Sequence, residues 1–203
     1  MKKVSLVVAI VALSLTAVNV IAQENPWLVR VRAVDIDTSK NSDPINGTGP
    51  SDLITVSDKV IPELDVSYFF TPNWATELVL TYPQKHDVYL AGTQIGTVKE
   101  LPPTLTVQYH FLPQAQFSPY LGAGVNYTRI SDVDLLNGAA SLDKSSWGLA
   151  LQAGVDYKID KNWSLNFDVK KLQIRSDVYA GGQQISTVRI DPWLIGMGVG
   201  YRF

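Results

Sequence analysis

Bulky apolar residues alternate with small or polar residues along most of this chain. The closing stretch is the clearest case: from Trp193 to Phe203 every second residue is large and apolar, and glycine fills most of the positions between. Seven earlier stretches show the same period, at 27–36, 60–70, 74–82, 101–111, 119–129, 145–159 and 163–169. A period of two is that of a β-strand whose two faces meet different surroundings. The pattern therefore predicts eight strands.

The connections between these strands alternate between short and long. Short ones lie at 71–73, 112–118 and 160–162, and long polar ones lie at about 38–58, 83–98, 131–144 and 175–187. The long ones rest on Gly, Pro, Asn, Asp and Ser, the residues that turn a chain. An even strand number, with tight turns at one end and long loops at the other, is typical of an outer-membrane barrel. We therefore predict an all-β fold: an eight-stranded antiparallel transmembrane β-barrel with short periplasmic turns and long extracellular loops.

The first 22 residues have the pattern of an export signal. Lys2 and Lys3 form a basic start, 4–18 is almost wholly apolar, and 20–22 matches the small-x-Ala pattern before a cleavage site. This predicts a cleaved secretory signal peptide at 1–22, with an uncleaved N-terminal anchor as the alternative. Residues 23–203 then form a single barrel domain, which we expect in the outer membrane of a Gram-negative cell.

Composition narrows the chemistry of this domain. The chain has no cysteine, which excludes thiolate ligands and cysteine nucleophiles. Without Lys2 and Lys3, 15 of the 17 basic residues remain against 19 acidic ones, a net charge of −4. An acidic balance without a basic cluster argues against nucleic acid as a partner. Residues 23–203 also contain no apolar run near 20 residues, so no transmembrane helix is predicted.

The alternation assigns the two faces of the predicted barrel. In the bilayer core the backbone groups must pair with one another, which a closed barrel achieves. The bulky residues then face lipid, and the small and polar residues face the lumen. Aromatic residues near the strand ends fit girdles at the membrane interfaces; these are Trp27, Trp74, Trp163, Tyr201 and Phe203. Packing of the same aromatics in a soluble β-sandwich is the alternative, but it does not explain the export signal.

Two groups of residues fall on the lumen-facing phase. The first is a set of glycines: Gly122, Gly124, Gly148, Gly154, Gly196 and Gly198. They either leave room for a passage or ease curvature and accommodate bulky neighbours. The second is a set of charges of both signs: Arg30, Arg32, Glu63, Asp65, Glu77 and Asp168. Pairing across the lumen would make them a polar plug, whereas the alternative is that they are solvated near the strand ends.

Three prolines lie where ladder pairing is expected. Pro102 and Pro103 open the fourth predicted strand, and Pro192 opens the eighth. Each lacks the N–H that a ladder needs. We expect a lateral opening beside them through which an apolar molecule passes sideways into the bilayer, unless they mark only a rim where each strand already ends.

The sequence also contains an internal echo. The stretch VYLAGTQIGTV at 88–98 matches VYAGGQQISTV at 178–188, with an offset of 90 residues. Either the two regions are structurally equivalent hairpins under similar demands, or the barrel arose by duplication of a half.

Four segments resemble the OmpW family of Gram-negative outer-membrane proteins. They are LPPTLTVQYHF at 101–111, PYLGAGVNYT at 119–128, SWGLALQAGVDYKI at 146–159 and VRIDPWLIGMGVGYRF at 188–203. The resemblance implies an eight-stranded barrel with a narrow, mostly apolar passage, closed toward the periplasm and used by small hydrophobic molecules. It places Val79 near that passage, whereas Lys170 stands where an apolar or aromatic lining residue is expected. The terminal Phe203 resembles the insertion signal of such barrels, which implies the barrel-assembly machinery as a transient partner.

These observations favour one function over two others. The first is passive passage of a small hydrophobic ligand, with lateral release into outer-membrane lipid. The alternative is a structural or surface-interaction barrel, such as a phage or bacteriocin receptor, which the scarcity of large apolar residues in loop 37–58 favours. An enzyme is not expected, because His86 and His110 lack a recognisable nucleophile beside them. No catalytic residue, cofactor or metal site is predicted.

Overall fold

The computed structural model describes residues 25–203, so the expected signal peptide lies outside the described residues. Strands dominate that part of the chain, and two short 3-10 turns lie at Ile45–Gly47 and Leu136–Gly138. Within 25–203 there is no helix long and apolar enough to cross a membrane. The strands are β1 Trp27–Asp37, β2 Asn41–Ser42, β3 Ile54–Val56, β4 Lys59–Phe69, β5 Trp74–Leu80, β6 Gln84–Leu90, β7 Thr93–Leu101, β8 Thr104–His110, β9 Phe117–Leu135, β10 Ala140–Leu142, β11 Ser145–Lys158, β12 Trp163–Leu172, β13 Arg175–Ala180, β14 Gln183–Arg189 and β15 Trp193–Arg202.

Eight of these strands close into a ring, which we call the membrane barrel. Its order is β1, β4, β5, β8, β9, β11, β12 and β15, and β15 pairs with β1 to close the circle. Every pairing is antiparallel, and both ends of the described chain lie at the end with the short turns. The predicted eight-stranded antiparallel barrel is confirmed.

The outer surface of the membrane barrel carries the bulky apolar residues, as the alternation predicts. On β11, Leu149 is 65% exposed and Leu151 is 61% exposed, whereas Ala150 between them is buried. Met197 on β15 is likewise 66% exposed. A strand of a soluble sandwich would bury this face in its core, so these exposures exclude the sandwich and match a barrel whose wall meets lipid.

Aromatic side chains form a girdle at the short-turn end. Trp27, Trp74 and Trp163 each stack edge-to-face on a tyrosine of the neighbouring strand, at centroid distances of 4.9, 4.9 and 5.0 Å. Tyr201 contacts Trp163 on one side and Phe203 on the other. Such rings place an apolar body in lipid and a polar edge at the interface.

The predicted long connections lie at the end opposite the short turns, and much of their length is itself paired as strands. Their residues form a second ring, which we call the extracellular barrel, in the order β3, β6, β7, β9, β10, β13, β14 and β2. Hydrogen bonds from Asp52 N to Ser42 O (2.9 Å) and from Ile54 N to Ser42 Oγ (3.1 Å) close the ring between β2 and β3. The 19-residue β9 runs through both barrels. Gly, Asn and Asp turn the chain at the hairpin tips and along 43–53, a segment that contains a 3-10 turn and no strand.

The internal echo corresponds to two equivalent hairpins of the extracellular barrel. The β6–β7 hairpin turns at Ala91–Gly92, with φ of +48° and +81°, and the β13–β14 hairpin turns at Gly181–Gly182, with φ of +58° and +80°. Positive φ at both central residues is typical of tight hairpin turns. Both hairpins also shift register between the same valine and tyrosine of the repeated stretch.

Candidate functional site

An apolar chamber fills the extracellular barrel. The empty space among its lining residues amounts to about 690 Å³, a figure that includes open solvent. Sixteen of its eighteen lining residues are apolar, and Glu100 and Ser176 are the two polar ones. The two equivalent hairpins contribute matched valines, Val88 with Val98 and Val178 with Val188.

Loop 37–58 contributes to this wall. The loop has few large apolar residues, yet Ile45, Ile54 and Val56 all line the chamber. The region thus places its limited apolar surface inward, where it extends the chamber instead of facing solvent.

The floor of the chamber is a layer of buried apolar side chains. Val34, Ile61, Leu172 and Leu194 come from different strands of the membrane barrel and belong to the same packed cluster as the chamber walls. The floor therefore separates the chamber from the polar interior below it.

Beneath the floor lies a buried network that we call the ion layer. It consists of Arg30, Arg32, Glu63, Asp65, Glu77, Asp156, Asp168 and Lys170. Arg30 contacts Glu77 and Asp156, both at 2.7 Å, and Arg32 contacts Asp65 at 2.9 Å. The structure thus brings together all six residues of the predicted plug.

Lys170 belongs to this ion layer and not to the passage lining in which the sequence analysis placed it. Its Nζ lies 2.7 Å from Glu63 and 2.9 Å from Asp168. The ammonium group therefore balances carboxylates below the chamber floor, so it does not make the chamber polar.

Neutral side chains add hydrogen bonds to the ion layer. Gln152 Nε2 donates to Glu77 and Asp168, both at 2.8 Å, and the Tyr120 hydroxyl donates to Asp168 at 2.7 Å. These side chains are buried. An eight-stranded barrel is only wide enough for its own side chains, so the layer closes the chamber toward the periplasm.

The lumen-phase glycines do not line the chamber, which corrects the passage-lining interpretation. A Cβ at Gly124, Gly148 or Gly198 would lie 1.8–2.0 Å from a backbone oxygen of the neighbouring chain segment. A Cβ at Gly154 would meet the Tyr120 ring at 2.4 Å. The nearest neighbours of Gly122 and Gly196 are likewise side chains of the filled interior: Gln152 and Gln108 for the first, and Val34 and Arg32 for the second. These glycines permit close strand approach and bulky interior side chains, which was the other hypothesis.

The wall is interrupted near the chamber floor, between β5 and β8. Below the interruption Val79 pairs with Thr104, and above it Gln84 pairs with Glu100. Between these two pairs, no ladder or backbone hydrogen bond of the described chain joins the two sides. We call this interruption the lateral opening; its sides are 80–83 and 101–103.

Pro102 and Pro103 form one edge of the lateral opening. They are fixed to β9, because Tyr127 N donates to Pro103 O at 3.1 Å and Asn126 Nδ2 approaches both proline carbonyls at 3.3 Å. Toward β5 they have no backbone N–H to donate. The prolines therefore leave the wall intact on one side and open on the other.

One further proline borders the opening, another lies on the neighbouring strand β4, and both were missed. Pro83 lies on the opposite edge of the opening, and Pro62 lies in the part of β4 that pairs with β1 alone. Four prolines around one wall segment were visible in the sequence. Their position around a break in the ladder was not, because it depends on where β5 ends.

Pro192, by contrast, does not lie beside an opening, and its assignment as a lateral-opening residue is corrected. Leu172 N donates to Pro192 O at 3.2 Å, and Ile174 N donates to the Asp191 carboxylate at 2.9 Å. On the other side Ser39 N donates to Ile190 O at 2.8 Å. These bonds bind both neighbours of β15 to the segment that precedes it.

A buried pair, His86 and Glu100, lies directly above the lateral opening. His86 Nε2 is 3.3 Å from Glu100 Oε1, and His86 Nδ1 is 2.8 Å from the Ser57 carbonyl oxygen. Burial on its own lowers the pKa of His86, but the hydrogen bond and charge of Glu100, with the Ser57 carbonyl, raise that pKa above its ordinary value. The pair was missed as a site because His86 was assigned to a loop.

Known proteins resemble this chain over most of its length. The OmpW family profile matches residues 23–203. The outer-membrane protein y4mB of Sinorhizobium fredii is 46% identical over 192 residues, which cover 91% of this chain and 83% of the relative. Outer membrane protein W of Escherichia coli is 38% identical over 151 residues, which cover 69% of this chain and 71% of the relative.

A solved structure shows the same architecture. The crystal structure of outer membrane protein OprG from Pseudomonas aeruginosa superposes with a TM-score of 0.78 at 28% identity, covering 89% of this chain and 96% of OprG. The fold, the lipid-facing wall and these similarities agree. The chain therefore belongs to the OmpW family of outer-membrane β-barrel proteins.

Proposed function

We propose that this protein gives small apolar molecules a passive route across the polar face of the outer membrane. A molecule enters the apolar chamber from outside, and it leaves sideways through the lateral opening into the hydrocarbon of the bilayer. No catalytic group is needed, because partition from water into an apolar site and then into lipid is downhill.

The observation that carries this proposal is the combination of a closed bottom and an interrupted side. The ion layer blocks the direct path to the periplasm, whereas the wall beside the floor lacks a ladder between 80–83 and 101–103. A molecule in the chamber therefore has a sideways route toward the membrane interior beside Pro102 and Pro103, and the apolar lining favours an apolar passenger.

Uptake of a small hydrophobic tracer tests this function. Cells lacking the protein should accumulate the tracer more slowly than cells that carry it. Replacing Val178 with Trp fills the chamber and should slow uptake to the rate of the deletion strain. Leu149→Trp adds the same bulk to the lipid-facing wall and should leave uptake unchanged.

Folded barrel must be quantified for each variant by its heat-shifted mobility on gels, so that lost uptake is not lost protein. Equal uptake with and without the protein would reject transport. It would leave the structural or surface-interaction role as the better explanation.

A further inference from the structure

Two polar side chains interrupt an otherwise apolar chamber wall. Glu100 and Ser176 are both 3% exposed, and Glu100 Oε2 and Ser176 Oγ have no hydrogen-bond partner within the described residues. Leaving a buried polar atom unpaired is costly, and such atoms in native proteins usually have a reason. A bound molecule that supplies the missing partner is one such reason.

The contacts of His86 determine the charge of this part of the wall. The Ser57 carbonyl oxygen only accepts, so the nearby His86 Nδ1 must carry a hydrogen. His86 Nε2 and Glu100 Oε1, 3.3 Å apart, then need one proton between them to avoid facing each other as two acceptors. Whichever atom holds that proton, the pair is neutral overall, and the second carboxyl oxygen of Glu100 retains lone pairs that accept.

A second unpaired acceptor lies at the upper edge of the lateral opening. Gln84 is the ladder partner of Glu100. Its amide nitrogen donates to Tyr82 O at 2.8 Å and to Thr81 Oγ1 at 3.3 Å, which leaves its Oε1 buried without a partner. Unpaired acceptors are thus present both in the chamber wall and at the exit.

Because the unpaired oxygens of Glu100 and Gln84 can only accept, the ligand that fits them must donate. We propose that the chamber is built for an uncharged apolar molecule that carries one hydroxyl group, such as a phenol or an apolar alcohol, with Glu100 as the acceptor. A pure hydrocarbon leaves these oxygens unpaired. An ammonium group would have to shed its water without a net opposite charge in the wall. This inference rests on the proposed function and specifies its substrate class.

Three aromatic probes of similar size test the inference: 2-naphthol, 2-methoxynaphthalene and naphthalene. The first carries a donor, the second an oxygen without a donor, and the third no oxygen. Binding to the purified barrel is measured by equilibrium dialysis between micelles with and without protein, so that partition into detergent cancels. We expect the dissociation constant of 2-naphthol to be about tenfold lower than that of 2-methoxynaphthalene, the value of one good hydrogen bond to a buried acceptor.

Two variants test whether the preference for 2-naphthol arises at Glu100. In His86→Leu/Glu100→Leu both polar partners become apolar, and the preference for 2-naphthol should disappear while naphthalene still binds. In Glu100→Gln the amide can donate to neutral His86 and keep an oxygen for the ligand, so most of the preference should remain.

The outcomes separate the two proposals. Equal affinity of the unmodified protein for 2-naphthol and 2-methoxynaphthalene overturns the hydroxyl inference. If both probes bind, that result still supports an apolar binding chamber. Failure of all three probes to bind contradicts the proposed function itself. The probe comparison uses the unmodified protein, so it can refute the inference even if the double variant fails to fold.

Discussion

Arg32 shows at the scale of one residue how the interior of the barrel is closed. Its guanidinium lies within 3.4 Å of carboxylate oxygens of Glu63, Asp65 and Glu77, and it donates to Asn166 at 2.7 Å. All of these side chains are buried. Removing one partner of a buried ion pair leaves the others uncompensated in a region of low polarity, which costs far more than the loss of an exposed pair.

We expect Arg32→Met to lower the free energy of unfolding by about 3–5 kcal/mol. The measurement is urea unfolding of the purified barrel in lipid vesicles. Lys99→Met is the matched control, because Lys99 forms a 2.7 Å pair with Asp132 in which both side chains are largely exposed. Its loss should cost no more than about 1 kcal/mol, and equal losses for the two variants would contradict a buried ion layer.

The pair of His86 and Glu100 makes the stability of the β6–β7 hairpin depend on pH. The pKa of His86 is raised above its ordinary value of 6.5, despite the opposing effects of burial and of Lys59. For a raised pKa, the stabilisation is fully present below the pKa of the unfolded chain and is lost as pH rises through the folded-state pKa. Amide hydrogen exchange in β6 and β7, corrected for intrinsic rates, should therefore stay constant up to about pH 6.5 and quicken as the pH rises further through the raised pKa of His86.

The double variant His86→Leu/Glu100→Leu is the control for this titration. Exchange in its β6–β7 hairpin should show no such dependence on pH. A wild-type hairpin whose corrected exchange is flat over the same range would show that the pair does not stabilise it.

At the scale of strands, glycines decide how closely neighbouring elements approach. A Cβ at Gly124 on β9 would lie 1.9 Å from Leu105 O on β8, whereas a Cβ at Gly122 would lie 3.1 Å from the flexible end of Gln152. The first contact is with backbone that is fixed in a ladder, and the second is with a side chain that can move. Both positions hold glycine on the same face of β9, but only Gly122 has a neighbour that can move to admit a larger residue.

Gly124→Ala should consequently fold poorly, while Gly122→Ala should fold with a modest loss. Overpacking typically costs about 1–3 kcal/mol, and a clash with paired backbone lies at or above the upper end of that range. The fraction of heat-shifted barrel after refolding into detergent measures both. Equal yields would mean that β8 and β9 lie farther apart at Gly124 than the 1.9 Å approach to Leu105 O implies.

Much of the element structure could be predicted from the period of two, and the failures have physical causes. The membrane strands carry large residues on the lipid face, which makes their alternation plain. In 83–98 and 175–187 the same alternation is present, with Val88, Val98 and Val178 pointing inward, but the opposite face is polar because it meets water. The amino-acid composition of these two stretches therefore resembles that of loops.

The site was harder to predict than the fold because it depends on pairing across the sheet. Pro102 and Pro103 could be identified from the sequence because a missing N–H is a local property. Pro192 has the same local property, but bonds from Leu172 and Ser39 secure its surroundings. Which proline borders an opening depends on where neighbouring strands end, and no single stretch of sequence contains that information.

At the scale of the whole molecule, two stacked barrels share β9, and the apolar floor and the ion layer beneath it close the chamber from below. The membrane barrel is solid below the chamber, and the extracellular barrel is hollow and apolar. Between them the wall changes from one set of strand pairings to another, and the lateral opening lies at that change. The proposed transport route therefore leaves the barrel at a place where the fold itself leaves the ladder incomplete.

Locking that opening tests the central claim most directly. The chain has no cysteine, so Leu80→Cys/Pro103→Cys introduces one possible disulfide across the opening, at positions that continue the ladder pairing of Val79 with Thr104. Leu78→Cys/Leu105→Cys is the control, because those two residues already pair in the intact ladder below. We predict that oxidation of the first pair stops tracer uptake and that reduction restores it, with no effect of either treatment on the control. Undiminished uptake with the opening cross-linked would show that apolar molecules leave the barrel by another route.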